Sequence, residues 1–355
     1  MDKKGTTSLQ NRGTIERRFM FEARLTKQAP NGYVDCYLCS FRCHIGDGRR
    51  GVCGVRENTA GTLYSLVYGK LIAEHIDPIE KKPLYHFQPA SRSYSIATTG
   101  CNFKCLHCQN SEISQMPRDQ RRIIGDDVSP EEVVHEALNT GCSSISYTYT
   151  EPTIFFEFAY DTGVLAKKQG LKNIFVTNGY MTSECLDELR GILDAANVDL
   201  KAFSETFYKK TCGATLKPVL ESIEYMLKLG IWVEVTTLII PTMNDSDDEL
   251  RNIARWLASL SKAIPWHVSA FHPAYKLSHI PSTPGHTLIR ARDIGIAEGL
   301  RYVYTGNIPN SVGETTFCHG CAEPLIKRVG FAVKDNVIED GKCPYCKTQI
   351  DGIEL

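Results

Sequence analysis

The chain has 355 residues, 42% hydrophobic and 23% charged, with a formal net charge of −1. This is the composition of an ordinary soluble globular protein of about two domains. Near-zero charge removes any global pull toward nucleic acid or anionic membrane, although a local basic groove stays open. No apolar run approaches the roughly 18 residues of a membrane span. The segment Met1–Arg18 is polar, carries Asp2 and Glu16, and lacks the apolar centre of a signal peptide, so a cytoplasmic location is expected.

In chain order, residues 1–30 read as a tail, with a short helix over Glu16–Leu25. Residues 31–90 form a cysteine-rich module with a hairpin from Thr62 to His75 and a proline-containing connector, Asp77–Pro89. From residue 91 to 310, strands alternate with helices. The expected strands are Ser93–Thr99, Ser144–Tyr149, Asn173–Thr177, Asn197–Leu200, Ile231–Ile239, His267–Phe271 and Arg301–Tyr304. The helices between them are Ser129–Thr140, Thr153–Gln169, Ser183–Asp194, Pro218–Leu229, Ser246–Ser261 and Thr287–Glu298. The first helix has a clear start: Ser129 at the N-cap, Pro130 at the first helical position and Glu132 to complete a capping box. Strand–helix alternation implies right-handed crossovers and a parallel sheet. Six or seven strands suit an α/β fold of the partial parallel (β/α) barrel kind, with active residues at the carboxyl ends of strands. The alternation ends in residues 311–355, a second small cysteine module.

Fourteen cysteines without an export signal point to metal binding rather than disulfides. Eleven fall into three groups: Cys36/Cys39/Cys43/Cys53, Cys101/Cys105/Cys108 and Cys318/Cys321/Cys343/Cys346. Cys142, Cys185 and Cys212 stand apart and read as buried small hydrophobes, Cys212 with some claim to a role.

The middle group is Cys101-Asn-Phe-Lys-Cys105-Leu-His-Cys108, directly after an expected strand. Three thiolates in this span can hold three irons of a [4Fe-4S] cluster. A cluster held wholly by protein needs four cysteines, so one iron is left open for a substrate. The spacing is that of the radical S-adenosylmethionine (SAM) superfamily, in which the amino and carboxylate groups of SAM take the open iron. The alternative is a zinc site completed by His107, or structural cysteines.

Further motifs extend the resemblance. They include Cys36-Tyr-Leu-Cys39, Gly51-Val-Cys53-Gly54, Thr148-Tyr149-Thr150-Glu151-Pro152, Val176-Thr177-Asn178-Gly179, Asp199-Leu200-Lys201, Phe271-His272-Pro273 and Tyr304-Thr305-Gly306-Asn307. Over about residues 33–350 the chain resembles the radical SAM members of the AmmeMemoRadiSam system, relatives of pyruvate formate-lyase activating enzyme. The resemblance implies that Glu151 partners the SAM amino group, where a charge-assisted bond would suit an ammonium. It places Asn178 at a SAM-contacting strand end, Asp199 and Lys201 near the methionine part, and His272 beside SAM. Tyr149 and Thr150 stand where the superfamily has glycines. Val176 stands where the activating enzyme has an acid that helps bind a cation and SAM, and valine cannot do this. Structural readings compete: a helix-start acid for Glu151, a surface lysine for Lys201, a turn for Asn178-Gly179, a structural histidine for His272 before Pro273, and either core or site for His267.

The last group is two C-x2-C knuckles separated by 21 residues, with Leu325–Val333 strand-like between them. Four thiolates suit a closed structural zinc site, although rubredoxin-type iron uses the same ligands. The first group packs four cysteines into 18 residues and fits structural zinc or an auxiliary iron–sulfur cluster.

The expected activity is reductive cleavage of SAM to methionine and a 5′-deoxyadenosyl radical that abstracts hydrogen from a substrate. It requires flavodoxin or ferredoxin as electron donor and implies sensitivity to oxygen. The resemblance also implies Memo-like and Amme-type partner proteins. Two further readings compete: activation of a glycyl radical enzyme, and a zinc-stapled scaffold or nucleic-acid-binding module suggested by Arg49, Arg50 and Arg56.

Overall fold

The computed structural model describes residues 21–308 and 312–355. Its centre is an eight-stranded sheet built from β1 (Ala73–Pro78), β2 (Arg92–Ala97), β3 (Ser144–Tyr147), β4 (Lys172–Thr177), β5 (Ala195–Asp199), β6 (Trp232–Ile239), β7 (Trp266–Ala270) and β8 (Val303–Gly306). Every strand neighbours the next in sequence. The pair β1–β2 is antiparallel and all later pairs are parallel. The helices of the crossovers are α1 (Pro130–Asn139), α2 (Phe156–Lys168), α3 (Ser183–Glu188), α4 (Lys217–Lys228), α5 (Asp247–Leu260) and α6 (Gly285–Ala297). This is the expected partial parallel barrel.

The helix starts follow from their capping residues. Ser129 and Glu132 form the reciprocal capping box on α1. Thr182 caps α3, and Ser246 caps α5 by accepting from Glu249 N–H. Strands β3 and β7 are buried throughout, as expected for parallel strands covered by helices. Buried polar side chains find partners across neighbouring strands: Ser93 to Ser146 at 2.6 Å, Tyr147 to Asn173 at 3.1 Å, and Thr236 to Asn197 at 2.9 Å. The indole of the buried Trp266 donates to Thr237 Oγ1 at 2.9 Å. Each bond offsets the desolvation of a group taken out of water.

Several expectations are corrected. The hairpin lies at Arg56–Thr59 and Thr62–Ser65, not Thr62–His75. It turns at Ala60 (φ 52°) and Gly61 (φ 83°), the two left-handed residues that a tight hairpin requires. The segment Ala73–Pro78, divided at sequence level between hairpin and connector, is the edge strand of the main sheet, so the sheet begins before residue 91. Helix α3 stops at Glu188, six residues early, and the chain adopts left-handed φ (74°) at Gly191 before β5. The helix expected over Glu16–Leu25 falls partly outside the described residues; from Phe21 the chain is extended, and Phe21–Glu22 pairs with Thr62–Ser65.

The carboxyl-terminal module is a three-stranded antiparallel ribbon: Thr316–Phe317, Pro324–Val329 and Ala332–Asn336. The single strand expected at Leu325–Val333 is thus two strands meeting at Gly330. The ribbon packs on β8 and on the segment after β1. Tyr304 of β8 bonds Thr316 at 2.8 Å, and the buried Arg328 reaches Tyr85 O at 2.8 Å and Glu80 at 3.5 Å.

The buried His86 joins both layers, contacting Tyr304 at 2.5 Å and Asp351 O at 2.6 Å. Burial pushes its pKa down from 6.5 to about 4, so it stays neutral in the fold. The unfolded chain then binds the proton first as pH falls. Stability present above pH 6.5 should decline by about 3 kcal/mol on going from pH 6.5 to pH 4. Urea unfolding across that range, with His86→Gln as comparison, should show a shallower slope in the variant; equal slopes would reject this account.

Candidate active site and metal centres

The loop after β2 carries the middle cysteines. Its backbone is held from two sides. Lys104 N–H and Leu106 N–H donate to Cys212 O (2.8 Å) and Thr211 O (2.9 Å). Arg118 Nη1 donates to Phe103 O at 3.2 Å, and its Nη2 to Cys101 O at 3.0 Å. Phe103 is buried and its ring meets those of Tyr180 and Tyr208 edge-on. The chain is therefore fixed between the three sulfurs, which is what a rigid multi-thiolate ligand set requires.

Cys101, Cys105 and Cys108 all line one cavity of about 540 Å³ at the carboxyl ends of the strands. Glu151, Asn178, Asp199 and Lys201 line it too. Four strand ends, those of β2, β3, β4 and β5, thus meet at one place, as the barrel architecture demands. The volume lies within the range of small-molecule sites.

The polar residues have distinct surroundings. Lys201 Nζ pairs with Asp199 at 2.9 Å and stays protonated: burial opposes its charge, but Asp199, Cys105 and Cys212 outweigh it. Asn178 Nδ2 donates to Asn102 Oδ1 at 2.7 Å and points at Cys101 Sγ at 3.8 Å. Glu151 is 1% exposed, and its carboxylate already accepts from Thr153 N, Thr153 Oγ1, Thr177 Oγ1 and Asn178 N at 2.5–3.1 Å. In this arrangement it braces the ends of β3 and β4. Three of these bonds fall on Oε1 and one on Oε2, so Oε2 keeps a lone pair for a further donor. His272 is exposed, sits against Ser282 and Asn307 O, and does not line the cavity; Asn307 does. His107 lines the cavity, with its pKa driven down to about 3 by burial and then by Lys201, so it remains neutral. His267 belongs to the core, 2.7 Å from Glu234.

Tyr149 explains how a glycine position is filled. Its φ is 60°, the left-handed region glycine enters without cost. The hydroxyl bonds Asp77, and Lys82 Nζ lies 4.7 Å over the ring. These contacts offset the roughly 1–2 kcal/mol of backbone strain. Asp77 also accepts from Lys81 and Lys82 at 2.8 and 2.6 Å.

Sequence reasoning missed Asn110, Lys82 and Phe331 at the cavity, and Asn102, which is buried behind Asn178. Asn102 and Asn110 sit within or beside the cysteine motif, which was an available signal. Lys82 and Phe331 come from distant segments and had none. Cys142 and Cys185 are buried as expected, while Cys212 is buried against Cys105 and hydrogen-bonds it.

None of the fourteen cysteines is joined to another in a disulfide. In the ribbon, Cys318, Cys321, Cys343 and Cys346 place their sulfurs within 4.8 Å of one another. The closest pairs are 3.5 and 3.7 Å apart. Metal–sulfur bonds of about 2.3 Å in a tetrahedron put sulfurs about 3.8 Å apart, so a single ion fits.

Fold and site together define a metalloenzyme of the open parallel-barrel class, with three thiolates facing its cavity. Residues 95–257 match the family model described as the Radical SAM superfamily. The chain belongs to the radical SAM superfamily, which implies a [4Fe-4S] cluster and SAM as cofactors. Three thiols on a rigid loop, facing a cavity large enough for a small molecule, fit that pair. The chain is 47% identical to an uncharacterized protein of Methanocaldococcus jannaschii over 335 residues, 94% of this chain and 99% of that one. It is 22% identical to the pyruvate formate-lyase-activating enzyme of Clostridium pasteurianum over 190 residues, 50% of this chain and 77% of that one. A radical SAM methyltransferase structure from Sphaerobacter thermophilus aligns with a TM-score of 0.48 at 16% identity, covering 67% of this chain and 72% of that one.

Proposed function

We propose that this protein cleaves SAM reductively, releasing methionine and using the resulting 5′-deoxyadenosyl radical to take a hydrogen atom from a further substrate. The observation that carries the reading is the meeting of three cysteine sulfurs with the Asp199–Lys201 pair on one cavity wall. Cys101, Cys105 and Cys108 would hold the cluster, which supplies the electron when bound. Lys201, kept cationic, suits the methionine carboxylate. Asn178 holds Asn102 and the Cys101 sulfur in position. Neutral His107 adds no positive charge beside the sulfurs.

Flavodoxin or ferredoxin serves as the electron donor, and Memo-like and Amme-type proteins of the AmmeMemoRadiSam system are the expected partners. The similarity to a pyruvate formate-lyase-activating enzyme supports a second reading, in which the hydrogen comes from a protein glycine. Incubating reduced enzyme and SAM with deuterated candidate substrates tests the first reading by locating deuterium in 5′-deoxyadenosine. No 5′-deoxyadenosine under any reducing condition would refute it. A glycyl radical seen by electron paramagnetic resonance with a candidate protein would favour the second.

The ribbon site is proposed to hold zinc in a structural role. Cys321→Ala should lower Tm by about 5–10 °C while leaving SAM cleavage in place below the transition. A variant with wild-type Tm and no cleavage would instead assign the ribbon a chemical part.

A further inference from the structure

The amino-terminal cysteines sit against the active site, and their surroundings differ from those of the ribbon. Cys36 and Cys53 are buried, and Cys36 N–H donates to Cys43 O at 2.9 Å, which holds two of the four cysteines side by side. Arg56 Nη1 donates to Cys36 Sγ at 3.2 Å, and Val52 N–H to Cys43 Sγ at 3.5 Å. Arg56 is itself buried, paired with Glu157. A buried guanidinium turned toward sulfur suits an anionic metal–thiolate centre, and hydrogen bonds to sulfur tune such a centre's potential. Spacing separates the two kinds of site. The ribbon sulfurs all lie within 4.8 Å of one another, and among the described residues they are the only cysteine group to do so. A single tetrahedral ion requires that closeness. The corners of an iron–sulfur cube hold their cysteines farther apart, as with Cys101, Cys105 and Cys108.

Location supplies the role. A Cβ on Gly100 would lie 2.7 Å from Val55 Cγ1 and 3.6 Å from Cys53 O, so the two cysteine loops are in van der Waals contact just before Cys101. Arg118 Nη2 bonds Val52 O at 3.1 Å and Cys101 O at 3.0 Å, joining the loops through one guanidinium. We propose that Cys36, Cys39, Cys43 and Cys53 hold a second [4Fe-4S] cluster, fully ligated by protein, that relays electrons to the cluster at Cys101, Cys105 and Cys108. It accepts one electron from a flavodoxin- or ferredoxin-class donor and passes one on to the SAM-bound cluster, returning to its oxidised state. With four thiolates its irons are closed, so it takes no part in binding SAM. The relay rests on the SAM-cleavage reading above; the ligand assignment stands apart from it.

Acid-labile sulfide measured on the anaerobically reconstituted full chain tests the assignment, because mononuclear zinc or iron carries none. About eight sulfides per chain are expected; about four, with zinc bound at the amino-terminal cysteines, overturns it. The variant C101A/C105A/C108A should keep about four sulfides and a cluster signal in electron paramagnetic resonance, and a folded variant with none overturns the proposal. If that variant does not fold, the wild-type count decides. For the relay, C39A/C43A should cleave SAM at least tenfold more slowly than wild type with reduced flavodoxin, and lose less with dithionite. No loss, or equal loss with both reductants, overturns the relay. Absence of 5′-deoxyadenosine from the wild type would remove the SAM-cleavage reading while leaving the triple variant's sulfide count to judge the second cluster.

Discussion

Cys105→Ala should reduce 5′-deoxyadenosine formation to background and remove the iron and sulfide of the SAM-binding cluster. Cys105 is the most enclosed of the three middle cysteines, buried between the cationic Lys201 and Cys212. The hydrogen bond from Cys212, and then Lys201, hold its thiol below the ordinary value despite burial, which favours the thiolate needed as ligand. Alanine removes the ligand without disturbing the loop, whose backbone is held at Lys104 and Leu106 by the Tyr208–Cys212 turn. Product quantification by chromatography, beside iron analysis, checks this. Cleavage persisting in a variant with no cluster would remove the chemistry assigned to the cavity.

The second large effect concerns stability. Arg56→Met should destabilise the fold by about 3–5 kcal/mol, because it strands the Glu157 carboxylate in the core. The guanidinium has other buried partners, Arg24 O at 3.2 Å and Cys36 Sγ. The double variant R56M/E157Q should recover part of the loss, since it removes the uncompensated charge. Urea unfolding of the three proteins measures this. A single variant as stable as wild type would show the pair to be dispensable.

Much of the barrel was legible because its signals are local. Capping at Ser129 and the apolar strand runs fix element type without reference to the rest of the chain. The cysteine groups announced themselves by spacing, and Glu151, Asn178, Asp199 and Lys201 do meet at one cavity. What stayed hidden depends on long-range packing. Ala73–Pro78 becomes a strand by pairing with β2, and its own proline and charges gave no such indication. A family match can align Glu151 and His272 but cannot show that one accepts from four donors and that the other is exposed against Ser282 and Asn307. The left-handed Tyr149 is likewise set by Asp77 and Lys82, more than 60 positions away.

The sheet order has one more consequence. Strands laid down strictly in sequence leave both β1 and β8 with an unpaired side, and such rims invite association with other chains. The ribbon lies across this seam, anchored by Tyr304 on one rim and by Glu80 just past the other. A metal held by the ribbon cysteines would then brace the cover over both rims. A chain cut short before Thr316 would expose two raw β-rims, and its failure should be seen as self-association in light scattering rather than as simple unfolding.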